Sequence, residues 1–136
     1  SELSDKEFKD EFNKFYNLTM NDINFFKNYL KKNATIINIS TTYIEDKPDG
    51  FAHYFEAKKA IENELLKFSK KNPNFTILNF RLPKMHTDQT NTNDISNVNL
   101  SPIKVAEVVF KNFLAKRNHS GFYTFEYNKK NFIKSN

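Results

Sequence analysis

Tyr54 and Lys58 lie four positions apart in "AHYFEAKKAIENEL", residues 52 to 65. A phenol one helical turn from an ammonium group is suited to proton transfer, because nearby positive charge favours the phenolate. The same spacing recurs at Tyr43 and Lys47. With six tyrosines and 21 basic residues, all lysine except Arg81 and Arg117, about one such pair arises by chance. The surroundings must therefore decide between the two. Tyr43 and Lys47 adjoin "DKPDG" (46–50), a stretch of turn chemistry, whereas Tyr54 and Lys58 open an apolar-periodic segment. Thr41 adds a hydroxyl at the end of a β-branched run, and "PKMHTD" (83–88) follows a second such run. His53, His86 and His119 have no metal-ligand spacing, and there is no cysteine, so no metal site is expected.

The elements that would position these groups can be read from periodicity. Ser4 with Glu7 forms a capping box, and Phe8, Phe12, Phe15, Ile23, Phe26 and Leu30 recur at helical spacing, predicting one long helix over 4–32. "ATIINIST" (34–41) reads as a strand covered on both faces. A second helix is expected from Ala52 to about Lys71, with Phe55, Ala57, Ala60, Ile61, Leu65 and Phe68 inward and Pro73 closing it. "NFTILNFRL" (74–82) reads as the next strand. Ser101-Pro102 announces a third helix to about Arg117, "GFYTFEY" (121–127) reads as the last strand, and residues 129–136 as a flexible tail. Helix and strand alternate, so the fold class is α/β: a partial, three-layer parallel sheet of three strands and three main helices. Open sheets of this kind bind ligands at their carboxyl edge, where Thr41, Tyr54, Lys58 and 83–88 would gather. The first strand would be left with an open edge, which implies that strands preceding the long helix lie outside this sequence.

Composition narrows the function classes. The net charge of +5 is spread as lysine pairs over helix faces and ends, so nucleic acid is disfavoured as a partner. No apolar run reaches the ~18 residues of a membrane span, and no cationic segment followed by an apolar one opens the chain, so a soluble, cytoplasmic protein is expected. The first residue is serine, consistent with a piece of a longer chain.

The run from Ser4 to Tyr127 resembles the carboxyl-terminal half of a short-chain dehydrogenase/reductase. "FKDEFNKF" resembles the start of that family's long interface helix, with Asn13 at the position of its tetrad asparagine. "ATIINIST" resembles the strand that ends in the catalytic serine, here Thr41, and "YFEAKKA" is similar to its Tyr-x-x-x-Lys. "RLPKMHTD" resembles the segment covering the nicotinamide, "SPIKVAEVVFKNFL" the penultimate helix and "SGFYTFEY" the closing strand. Four spaced matches in order are more specific than any one of them.

The resemblance implies a Rossmann-like domain over 1–128 that lacks its amino-terminal nucleotide-binding strands. It implies hydride transfer between NADP or NAD and a carbonyl or alcohol, with Tyr54 as acid/base, Lys58 favouring the phenolate and bonding the nicotinamide ribose, Thr41 holding the substrate oxygen and Asn13 a relay water. Leu82, Pro83, Met85 and Thr87 would lie against the cofactor. Two departures stand out: threonine replaces serine at 41, and Leu82-Pro83 replaces the family's Pro-Gly. With two glycines in the whole chain, the glycine-rich pyrophosphate turn is absent, so the isolated chain is expected to be inactive. "TDQTNT" (87–92) resembles reductase domains of multidomain biosynthetic enzymes, hence a ketoreductase-like role. The family's dimer helices correspond to 4–32 and 52–71, through which self-association is expected alongside a missing amino-terminal half or neighbouring domain. Two other readings stand beside this one: a non-catalytic scaffold or dimerisation module of the same fold, and a basic adaptor for an acidic partner such as a carrier protein or nucleic acid.

Overall fold

The computed structural model describes residues 3–85 and 100–135. They fall into two units, one within Ser1–Ala34 and Tyr43–Thr76, the other within Thr35–Thr42 and Ile77–Asn136.

The first unit is helical. Helix α1 (Asp5–Phe26) opens on the capping box, in which Ser4 Oγ accepts from Glu7 N at 3.3 Å and Glu7 Oε2 accepts from Ser4 N at 2.9 Å. It ends before the expected 32. Asn21, Asn24, Phe25, Phe26 and Asn28 are weak helix formers, so the segment tightens to a 3-10 turn at Lys27–Tyr29 and Leu30 is extended. Asn33, at φ 68°, then redirects the chain. After a single helical turn, α2 (Tyr43–Asp46), and Gly50 at φ 81°, helix α3 runs from Ala52 to Lys71. α1 packs along α3: Phe8 meets His53 and Phe15 meets Tyr54, with ring centroids 6.4 and 5.3 Å apart. No described residue of α1 is buried, whereas α3 buries Ala57, Ile61, Glu62 and Leu65.

The second unit carries the sheet, in the order β1 (Thr35–Thr41), β2 (Thr76–Leu82, its first residue in the helical unit), β3 (Gly121–Glu126), β4 (Asn131–Lys134). Thr76 N donates to Ala34 O and Thr42 N to Leu82 O, at 3.0 Å each, so β1 and β2 pair start to start and end to end, in parallel. β2 and β3 are parallel, with Leu78 opposite Gly121, and β3 and β4 antiparallel, with Phe125 opposite Phe132. Ile77 to Arg81 are all buried, the pattern of an interior parallel strand. Helix α4 (Pro102–Lys116) starts where Ser101 Oγ accepts from Lys104 N at 3.2 Å, with Pro102 needing no donor partner in the first turn. Val108, Val109 and Phe113 of α4 cover one face of the sheet over Leu78, Phe80, Tyr123, Phe125 and Phe132.

Two expectations are corrected. The sheet is mixed and four-stranded, because residues 131–134 pair with β3 and are no loose tail. The turn that returns the chain contains no glycine: Lys130 takes φ 49°, and the Glu126 carboxylate accepts from Asn128 N at 3.1 Å and Lys129 N at 2.6 Å. Nor is β1 covered on both faces. It is the sheet's edge strand among the described residues, and Ile37 and Ile39 are 41% and 44% exposed. They border an open apolar trough of about 340 Å³ shared with Val105, Val109 and Phe113 of α4.

Phe132 is 5% exposed and its ring lies 4.9 Å from that of Phe80. Phe132→Ala should therefore cost about 3–5 kcal/mol in urea unfolding. A truly loose tail would give an unchanged midpoint.

Candidate functional site

Tyr54 is placed by the start of α3, where Tyr54 N and Phe55 N donate to Phe51 O at 3.0 and 3.1 Å. Lys58, one turn on, brings its Nζ over the Tyr54 ring at 5.6 Å from the centroid. Three rings surround that pair. Phe15 and Tyr43 meet Tyr54 edge-on, at 5.3 and 6.2 Å, and Phe51 packs on Tyr43 at 5.5 Å.

This setting shifts both groups toward neutrality. Burial pushes the Tyr54 phenol above its usual 10.0, and Tyr43 beside it pushes the same way. Burial pulls Lys58 below 10.5, with the Glu62 carboxylate opposing that pull. The expectation that Lys58 favours the phenolate thus meets a stronger opposing effect, since the ammonium sits over the ring face and the low-polarity surroundings favour the neutral phenol. A phenol held protonated is a proton donor, and its conjugate base, once formed, would lie beside the Lys58 ammonium.

The other expected site residues are distributed as follows. Asn13 is half-buried on α1, two residues from the Phe15 ring that touches Tyr54. Thr41, Leu82, Pro83 and Met85 belong to the second unit. Thr41 is buried at the end of β1, and its neighbour Thr42 donates its N–H to Leu82 O, so the ends of β1 and β2 are aligned. Leu82 and Met85 line the apolar trough. Thr87 lies outside the described residues. Of the histidines, His53 packs against Phe8 and Phe15, and no group of residues that could hold a metal occurs among the described residues.

Sequence reasoning missed two residues here. Tyr43 was set aside as a chance pair with Lys47, yet its ring abuts Tyr54. Glu62 is the other: it is 1% exposed, 3.9 Å from Lys59, and its carboxylate acts on Lys58. The signal was present: Tyr54, Lys58 and Glu62 follow one another at intervals of four on a single helix face.

The glycines test the fit of a dinucleotide. Gly50 is a turn residue, and at Gly121 an added Cβ would lie 2.5 Å from Tyr123 Oη, so that glycine makes room for a tyrosine. Neither forms a glycine-rich turn at the start of a helix, and the described residues give a pyrophosphate no such backbone cradle. Comparison with protein-family models, curated proteins and solved structures gives no match to this chain.

Among the described residues, no helix is long and apolar enough to cross a membrane.

The lysine shift has a measurable sign. With the folded pKa of Lys58 below 10.5, its contribution to stability is complete above 10.5 and is lost as pH falls through the folded value. Urea midpoints from neutral pH up to 10.0, before Tyr54 ionises, should rise for the wild type relative to Lys58→Met. Parallel curves would show that burial does not reach the ammonium.

Proposed function

We propose that this chain is the carboxyl-terminal, acid/base half of an NAD(P)-dependent short-chain dehydrogenase/reductase, ketoreductase-like, with a Rossmann-like sheet completed by an amino-terminal nucleotide-binding part. One observation carries the reading: a half-buried Tyr54–Lys58 pair opens the helix that follows a parallel strand ending in Thr41. The ordered parallel strands β1, β2 and β3 support it further.

In this reading Tyr54 Oη gives its proton to a carbonyl oxygen as the carbonyl carbon takes up a hydride, which the nicotinamide supplies when bound. The raised phenol pKa keeps Tyr54 in the protonated form that a proton donor requires. Lys58 stabilises the phenolate left behind and holds the ribose. Thr41 positions the substrate oxygen, Asn13 holds a relay water, and Leu82, Pro83, Met85 and Thr87 flank the nicotinamide. Without the pyrophosphate cradle the chain alone is inactive.

A second reading, a non-catalytic scaffold of the same fold that self-associates through 4–32 and 52–71, draws on α1, which buries none of its described residues.

The test is reduction of a carbonyl panel by NADPH and NADH with the intact parent and its Tyr54→Phe variant. Removing the proton donor should lower kcat by about 100-fold or more. Equal rates would take Tyr54 out of the mechanism and favour the scaffold.

A further inference from the structure

Where α1 and α3 end, the first unit carries a groove of about 430 Å³. Its apolar floor comes from Met20, Ile23, Phe68 and Phe75, and Lys27, Lys67 and Lys71 stand on its rim. Phe68 and Phe75 stack on each other at 5.7 Å, which covers one face of each ring. Leu18, Phe25 and Phe26 of α1 and Tyr29 of the 3-10 turn are also exposed, Tyr29 at 76%, but at 3.6 residues per turn they lie on the opposite side from Met20, Ile23 and Asn24 and form no part of the groove.

The charge here exceeds what the helices need. Lys31, Lys32 and Lys70 adjoin the rim lysines in sequence, making six. Both carboxyl ends lie at the groove, and their macrodipoles together amount to about one negative charge. Asp22 and Glu64 add two carboxylates, and Glu64 is already paired with Lys67 at 3.3 Å. Positive charge therefore exceeds negative in the segments that meet at the carboxyl ends of α1 and α3, beside a recess lined by both apolar and polar side chains.

We infer that this groove docks an acidic amphipathic helix of a partner protein, with apolar side chains seated on Met20, Ile23 and Phe75 and carboxylates facing Lys27, Lys31, Lys32 and Lys71. A recess suits side-chain anchors on a helix better than a flat bilayer surface. Complementary charge supplies steering and orientation, and the seated side chains supply affinity. The inference does not rest on the chemistry of Tyr54.

The probe is a synthetic amphipathic helical peptide of about four turns, glutamate on one face and leucine on the other. Amide shifts should move within residues 20–32 and 64–75, and the combined Lys31→Glu, Lys32→Glu and Lys71→Glu variant should bind about tenfold more weakly or worse. Peptides with lysine for glutamate, or serine for leucine, should bind no better than that variant. The idea is overturned by shifts centred elsewhere, by unchanged affinity of the lysine variant, or by tighter binding of oligo-dT or phosphatidylglycerol vesicles than of the acidic peptide. Self-association that blocks the peptide and survives the lysine substitutions would instead assign the surface to a second copy and equally overturn it.

Discussion

Burial of the Phe80 ring is the condition on which the second unit rests. Its ring meets Tyr123 of β3 at 5.7 Å and Phe132 of β4 at 4.9 Å, so three strands converge on one aromatic contact. Ring edges and faces interlock with limited tolerance, which fixes strand register as well as hydrophobic burial. The polar groups that must accompany such a core are then satisfied locally. Asn112 on α4 donates to Val108 O and to Asn131 Oδ1, both at 2.8 Å, and accepts from Lys116 Nζ at 2.8 Å. Lys116 in turn lies over the Tyr123 ring. Helix α4 is thereby tied to β4 and to the core aromatics by one hydrogen-bonded chain.

The candidate pair depends on the opposite circumstance, charge in a place that disfavours it. Burial disfavours the charged form of Lys58, and the carboxylate of Glu62 works against that desolvation. Tyr54 is half-buried against the rings of Phe15 and Tyr43, and that burial disfavours its ionised form. Such an environment stores protonation-state bias in packing, and a change in any of the three surrounding rings would alter it.

What the sequence revealed follows the range of the forces involved. The caps at Ser4 and Ser101, the length of α3 and the four-residue step from Tyr54 to Lys58 are local features, and each is found where spacing placed it. β4 was illegible because its turn relies on Lys130 in a left-handed conformation held by Glu126, without the glycine that usually announces one. The long first helix was overestimated because aromatic periodicity continued past the point where asparagines weaken the backbone. Tyr43 escaped notice since its importance comes from tertiary contact with Tyr54, and the sign of the phenol's shift was hidden because burial leaves no mark in spacing.

The sheet's two margins differ in a way that bears on how the protein must be handled. β4 ends in Lys134 and is preceded by Lys129 and Lys130, charges that discourage a neighbouring chain from adding a strand. β1 reads Thr-Ile-Ile-Asn-Ile-Ser-Thr, with neither a charge nor a proline along its length. One margin is guarded and the other bare. The margin at β1 is thus where strand addition from a second chain meets neither a charge nor a proline.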